Sequence, residues 1–151
     1  MKELKDKMSR LEMLQNLTSM QVNATIQAFS EKVGFTVCEG YMVSAGRIKF
    51  TSVKSSNGIY MASSYRDGKF IAPKAGFYLV LSNILSNSQT GFYIRKNGKE
   101  IARAWSLYKD SNIDSFYSAP LSAFLELSVN DVITIEGESL NPASCLSIVQ
   151  L

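Results

Sequence analysis

The chain has 151 residues, enough for one domain with a sizeable core and a short extension. Apolar residues make up 46% and charged residues 19%, which are values of a globular chain and exclude a disordered one. The net charge of +3 comes from scattered lysines and arginines, without the basic face or aromatic-basic motif of a nucleic-acid-binding protein. We therefore expect no nucleic-acid partner.

The sequence contains no histidine, which removes the commonest general base and the commonest metal ligand. A Ser-His or Cys-His nucleophile is excluded, and a zinc site would have to be built from two cysteines and carboxylates. No apolar run approaches the roughly 18 residues that a membrane helix needs. These observations predict a protein that is not an enzyme and does not insert into a membrane.

Residues 1–22 carry the pattern of an amphipathic helix without glycine or proline. Apolar side chains recur every three or four positions, at Leu4, Met8, Leu11, Leu14 and Leu17. The first steps, from Leu4 to Leu11, suit a coiled-coil seam, whereas the later steps are only threes. Two interpretations stay open: an oligomerising neck, which we favour, or a single helix that packs on its own domain.

We divide the chain into this helical neck, residues 1–27, and a globular domain, residues 28–151. The neck contains two glycosylation acceptor triplets, Asn16-Leu17-Thr18 and Asn23-Ala24-Thr25. Each triplet alone is common by chance. Together they predict glycosylation at Asn16 and Asn23 and a secreted, extracellular protein.

From Val33 onward, short runs rich in Val, Ile, Phe, Tyr and Thr are separated by turn residues, which is typical of strands. The predicted strands are Gly34–Glu39, Ile48–Val53, Ile59–Ser63, Lys69–Ala72, Gly76–Leu85, Gly91–Lys96, Glu100–Leu107, Ser118–Leu127, Asp131–Glu136 and Cys145–Leu151. Asn97-Gly98 lies between two of them and is a strong signal for a type I′ hairpin turn. Ten short strands without alternating helices predict an all-β sandwich or jelly roll.

One apolar run within the predicted strand Gly76–Leu85 has no polar residue on either face. It is the run Phe77-Tyr78-Leu79-Val80-Leu81, whereas residues 121–128 alternate apolar and polar side chains almost throughout. A strand of an ordinary antiparallel sheet keeps one face in water. The run therefore predicts a strand whose two faces are both covered, either by loops of the same chain or by another subunit.

Several segments match one protein family in the same order along the chain. They are Val33-Gly34-Phe35-Thr36-Val37, Ile48-Lys49-Phe50, Asn57-Gly58-Ile59-Tyr60, the run Gly68 to Tyr78 (GKFIAPKAGFY), Lys96-Asn97-Gly98, Leu125-Glu126-Leu127 with Asn130-Asp131, and Cys145-Leu146-Ser147-Ile148. On these residues, from about Ala28 to Leu151, the chain resembles the globular head domain of subcomponent q of the first complement component, within the tumour-necrosis-factor-like superfamily. The segment between Tyr60 and Phe70 is longer than the family's spacing, which places Tyr65 in an altered loop.

The resemblance implies a ten-stranded antiparallel jelly-roll sandwich that associates as a homotrimer, with one sheet of each subunit facing the threefold axis. The run Phe77 to Leu81 would then be covered by its own core on one side and by neighbouring subunits on the other. The two cysteines are placed most like those of secreted invertebrate members, especially molluscan ones, which include sialic-acid-binding lectins. Because the family's first and last strands are neighbours, the resemblance implies a Cys38–Cys145 disulfide. Two buried free thiols are the alternative.

Two loops have the composition of sugar-binding sites, in which an aromatic surface meets a sugar ring and polar groups meet its hydroxyls. They are Ser63 to Gly68 and Trp105 to Asp114 (WSLYKDSNID), and the predicted ligand contacts are Tyr65, Arg66, Trp105, Tyr108 and Lys109. An arginine or lysine would add a charged hydrogen bond to a carboxylate or phosphate. The alternative is that these are solvated loops and that Trp105 fills the core, which is the interpretation we favour for Trp105.

The resemblance also implies calcium near the top of the trimer, because members of the family often hold it there. Asp67, Asp110 and Asp114 could supply the oxygen ligands, although no spaced EF-hand pattern exists. We expect no other cofactor.

The leading functional hypothesis is a secreted, trimeric pattern-recognition protein of innate immunity that binds carbohydrate or microbial surface ligands, sialic acid included, without catalysis. A first alternative is a signalling ligand for a protein receptor, similar to tumour necrosis factor or to synapse-organising relatives. A second is a structural component of the extracellular matrix. Competition by free sugars would separate the first two.

Overall fold

In the computed structural model, residues 2–44, 46–106 and 117–151 are described, apart from the side chains of residues 27–30. The chain divides into two compact units, residues 1–32 and 33–151. The first contains the predicted helix, α1 (Lys2–Glu31), whose seam residues are all exposed, Leu4 and Leu11 by 65%. No helix in the described part of the chain is long and apolar enough to cross a membrane.

The second unit is an all-β jelly-roll sandwich with one short helix. Its elements are β1 (Gly34–Met42), β2 (Ile48–Asn57), α2 (Met61–Ser64), β3 (Tyr65–Arg66), β4 (Lys69–Ile71), β5 (Gly76–Ser86), β6 (Thr90–Lys96), β7 (Lys99–Ser106), β8 (Tyr117–Leu127), β9 (Val132–Gly137) and β10 (Cys145–Gln150). Every strand pairing is antiparallel, in a first sheet of order β2-β1-β10-β5-β8 and a second sheet of order β3-β4-β9-β6-β7. The predicted fold is confirmed.

The predicted strand Ile59–Ser63 is wrong, because the chain forms the helical turn α2 there. The Tyr60 carbonyl accepts hydrogen bonds from the backbone N–H groups of Ser63 and Ser64, at 3.2 and 3.0 Å, and from the Ser63 hydroxyl at 3.1 Å. Serine favours such local bonds over a strand ladder. Tyr65 consequently belongs to β3 rather than to a loop.

Two hairpin turns have positive φ at both central residues, as a type I′ turn requires. Asn97 and Gly98, with φ of 51° and 83°, join β6 to β7 and confirm the predicted turn. Asp67 and Gly68, with φ of 53° and 76°, join β3 to β4. These two turns set the pairing of the residues next to them, Arg66 with Lys69 and Lys96 with Lys99.

The core lies between the sheets and contains the inward-facing apolar residues of both. Its buried members are Val33, Phe35, Val37, Ile48, Phe50, Phe70, Ala72, Tyr78, Val80, Ile84, Phe92, Ile94, Ala119, Leu121, Leu127, Ile133, Ile135, Leu146 and Ile148. Burial alternates along β5 and β8, so the side chains at the remaining positions face outward. The outer faces of the two sheets therefore hold the side chains available for binding.

Cys38 and Cys145 form a disulfide, as the resemblance implied. They are directly paired residues of the neighbouring strands β1 and β10, with a Cα–Cα distance of 4.0 Å. Directly opposed residues of antiparallel strands are close enough for such a bond. The disulfide joins the beginning and the end of the sandwich.

Candidate functional site

The predicted ligand contacts are not gathered at one place. Tyr65 packs into the sandwich: its ring centroid lies 5.6 Å from that of Phe35, and its phenol oxygen accepts the Phe50 backbone N–H at 3.1 Å. Burial raises the Tyr65 pKa to about 12, partly offset by that hydrogen bond. This geometry fits a structural role. Arg66 is exposed on β3, the edge strand of the second sheet.

Trp105 lies on the outer face of the second sheet, and its side chain is 50% exposed. The expectation that Trp105 fills the core is therefore wrong. Ala104 and Ser106, its neighbours along β7, point toward the interior instead, so the period of two places the indole outside. Tyr108 and Lys109, the other two predicted contacts of this loop, lie outside the described residues.

The predicted calcium ligands are also separated. Asp67 is exposed in the β3–β4 turn, and Asp110 and Asp114 lie outside the described residues. In the part of the chain that the structure describes, no three acidic or cysteine side chains are grouped as a metal site would need. Asn16 and Asn23 are exposed on α1, and their glycosylation stays a prediction.

The second sheet does bring aromatic and cationic side chains together on its outer face. We call Gly91, Tyr93, Arg95, Arg103 and Trp105 the aromatic–arginine surface. The Cζ atoms of Arg95 and Arg103 lie 5.3 and 5.2 Å from the Tyr93 ring centroid, within the range of cation–π contact. Tyr93 pairs directly with Arg103, and Gly91 with Trp105. The hairpin β6–β7 alone therefore builds this surface.

Gly91 leaves room for both aromatic side chains beside it. A Cβ atom at this position would lie 2.8 Å from the Tyr93 phenol oxygen and 3.4 Å from Cη2 of Trp105. Any larger residue would push the Tyr93 side chain away. Two neighbouring aromatic groups flanked by cations are the arrangement that a sugar ring with polar or acidic substituents can contact.

Glu100 fixes the position of Arg103. Both terminal oxygens of its carboxylate accept hydrogen bonds from Nη2 of Arg103, at 2.9 and 3.2 Å. This hydrogen bonding, with the carboxylate charge as a second cause, raises the pKa of Arg103. The guanidinium is therefore charged and oriented beside the Tyr93 ring, although it is exposed to solvent.

The first sheet presents a different outer face, which is apolar. The rings of Phe77 and Phe124 stack on it, with centroids 5.4 Å apart and planes 3° apart, and are 49% and 61% exposed. Leu81 and Val149 are 42% and 40% exposed on the neighbouring strands. Contiguous apolar surface of this kind marks protein–protein contact sites. The run Phe77–Leu81 thus has one face in the core and one face half-exposed in the single chain.

The site residues predicted from the sequence did not include Tyr93, Arg95 and Arg103. A signal was present, because Gly91, Tyr93 and Arg95 are alternate residues of one predicted strand and must share a face. The pairing of that strand with Arg103 could not be assigned, because a register shift between Ile94 and Arg95 alters the count from the turn.

Comparisons with known proteins are consistent with the fold. A search of solved structures found the globular domain of zebrafish complement 1qA protein, with a TM-score of 0.65 and 12% sequence identity, covering 80% of this chain and 98% of that one. No protein-family model and no curated protein sequence matches the chain. At this identity the likeness shows the fold alone: a jelly roll of the type found in complement-q globular domains.

Proposed function

We propose that this chain is a secreted, non-catalytic recognition protein of the complement-q head family, which binds carbohydrate or microbial surface ligands as a homotrimer. The observation that carries the proposal is the aromatic–arginine surface. It exposes the Trp105 indole beside Tyr93 and holds two guanidinium groups against the Tyr93 ring. Aromatic faces contact the apolar side of sugar rings, and guanidinium groups donate to hydroxyl and acidic substituents.

The trimer rests on the apolar outer face of the first sheet. Phe77, Leu81 and Phe124 present exposed apolar side chains on this face, as a contact site for a protein partner does. The exposed seam of α1, with Leu4 and Leu11, would add a coiled-coil contact between the same subunits. The two sheets would then have separate tasks, assembly for the first and ligand contact for the second.

Trimerisation matters for recognition because single sugar sites bind weakly. Three identical sites on one particle make the second and third contacts intramolecular, and avidity rises by about 10²–10⁴ on a repetitive surface. A trimer with weak sites would therefore discriminate dense microbial surfaces from soluble sugars.

The first test is binding of the recombinant protein to an array of glycans and microbial surface molecules, with calcium and again with chelator. We expect saturable binding that a free monosaccharide inhibits and that Trp105→Ala weakens about tenfold. Tyr60→Ala is the matched control, because Tyr60 is an aromatic residue that is 76% exposed and lies outside the aromatic–arginine surface. Equal effects of the two variants would remove the proposed site.

The oligomer is tested separately with Leu11→Asp and with a chain that lacks the neck. Both should lose binding to a multivalent ligand while keeping the folded jelly roll. Full binding by a protein shown to be monomeric would refute the proposed mechanism. A clean negative result from a folded trimer on the array would instead favour a protein receptor as the ligand.

A further inference from the structure

A shallow depression of about 430 Å³ lies on the outer face of the second sheet, beside the aromatic–arginine surface. Strands β4, β9 and β6 form its floor, because Lys69 pairs with Thr134 and Thr134 with Arg95. Arg47, just before β2, closes one side of the depression, because its backbone pairs with that of Glu136. The depression therefore brings together three cations from three separate parts of the chain.

Arg47 is held in place by the β3–β4 turn. Its Nε donates to the Asp67 carbonyl, and its Nη2 lies 3.4 Å from the Ser44 hydroxyl. The turn lies close against the start of β2, because a Cβ at Gly68 would lie 2.5 Å from the Ile48 carbonyl oxygen. These contacts orient the guanidinium and leave its Nη1 without a bond to the protein among the described residues.

Arg95 is oriented in a similar way on the opposite side. Its Nε forms an ion pair with Glu136, in which the two side chains are 33% and 24% exposed. Lys69 is exposed and stands two strands from Arg95 in the same row, about 10 Å apart at the backbone. Long cationic side chains at that separation can reach one group placed between them.

The charges around the depression do not cancel. Arg47, Lys69 and Arg95 carry three positive charges, and Glu136 is the only carboxylate among the lining residues. Asn97 also lines it, but its side-chain amide donates to Asp131 at 3.0 Å and accepts from the Val132 N–H at 2.9 Å. The groups left to meet a ligand are therefore cationic donors, which select an anion.

We propose that this depression binds the sulfate or phosphate ester group of an acidic saccharide polymer. A sulfate ester carries one negative charge and a phosphate monoester up to two, so a lining with an excess of positive charge attracts either group. A depression of about 430 Å³ also has room for the sugar that bears the group. The neighbouring aromatic–arginine surface would contact the next sugar of the polymer. The inference rests on the proposed function for the source of the anion, a surface polymer.

The test is surface plasmon resonance of the full chain over immobilised dextran sulfate, phosphomannan and neutral dextran. We expect binding to at least one of the first two and none to neutral dextran. Binding to dextran sulfate would identify a sulfate ester as the ligand group, and binding to phosphomannan a phosphate ester. Lys69→Glu should weaken this binding about tenfold or more. Lys54→Glu is the matched control, since Lys54 is also an exposed strand lysine but lies on the first sheet; it should change binding less than twofold.

Lys69→Gln removes the charge without reversing it, so its affinity for the acidic polymer should lie between those of wild type and Lys69→Glu. Melting temperatures equal to that of the wild type would show that the variants are folded. Equal losses in Lys69→Glu and Lys54→Glu would overturn the inference, because attraction would then follow net charge. Absence of binding to both acidic polymers would also overturn it. If wild type and Lys69→Glu bind the array equally well, this inference is refuted and the proposed function stands. If a protein shown to be monomeric binds the acidic polymers and Lys69→Glu removes that binding, this inference stands and the proposed trimeric mechanism is refuted.

Discussion

Removal of the Cys38–Cys145 disulfide should be the largest single perturbation of the jelly roll. The two cysteines are separated by 107 residues, so the bond closes most of the second unit into one loop. In the chain-entropy model a loop of this length lowers the entropy of the unfolded chain by an amount worth about 5 kcal/mol at 25 °C. Domains of this size have a total free energy of unfolding of about 5–15 kcal/mol. The double variant Cys38→Ala/Cys145→Ala should therefore lose about one third or more of its free energy of unfolding.

The assay is urea unfolding followed by the fluorescence of Trp105, the single tryptophan. The double variant avoids the free thiol that either single variant would leave. Wild type in dithiothreitol should unfold at the same urea concentration as the double variant, and dithiothreitol should not affect the double variant. A difference in unfolding free energy below about 1 kcal/mol between wild type and the double variant would refute the reasoning, because the entropy of so long a loop could not then control stability.

Three further predictions concern assembly and pH. Phe124→Asp should convert the proposed trimer to monomers, as measured by light scattering, because the 61% exposed Phe124 side chain offers a partner roughly 120 Å² of apolar surface, or about 3 kcal/mol per subunit. Tyr60→Asp is the control, and a trimer that persists in Phe124→Asp would contradict the assignment of this face to assembly. The Tyr65 pKa of about 12 is above its ordinary value, so the neutral phenol makes its full contribution to the free energy of unfolding below pH 10 and loses it as the pH rises to about 12. Unfolding at alkaline pH should show a loss of about 3 kcal/mol in the wild type that is absent in Tyr65→Phe. Hydrogen bonds, mainly from the Asn97 side chain and next from the Ser128 N–H, lower the Asp131 pKa, so the stability that the ionised carboxylate provides should be lost as the pH falls through that lowered pKa. Asp131→Asn should reduce the acid dependence of the melting temperature, and an unchanged dependence would contradict this role of Asp131.

Local sequence signals predicted most of the strands of this protein and one of its turns. The period of two in Leu121 to Leu127 and the Asn97-Gly98 dipeptide depend only on neighbouring residues, and both features are present as predicted. The predicted strand at Ile59–Ser63 is wrong because Ser63 and Ser64 form local hydrogen bonds to the Tyr60 carbonyl, which compete with strand pairing. The sequence pattern does not show which of the two arrangements is the more stable.

Only the tertiary structure decided which side chains share a surface. Periodicity fixes the side of a strand on which a residue lies, but it does not identify the neighbouring strand. Arg47, Lys69 and Arg95 are far apart in sequence and meet because β9 lies between β4 and β6 in the second sheet. The exposed position of Trp105 likewise depends on the sheet to which β7 belongs and on the side that the core covers. Strand order follows from long-range packing, so the sequence predicted most of the strands and the resemblance implied the disulfide, whereas only the folded chain shows which side chains share the proposed binding surfaces.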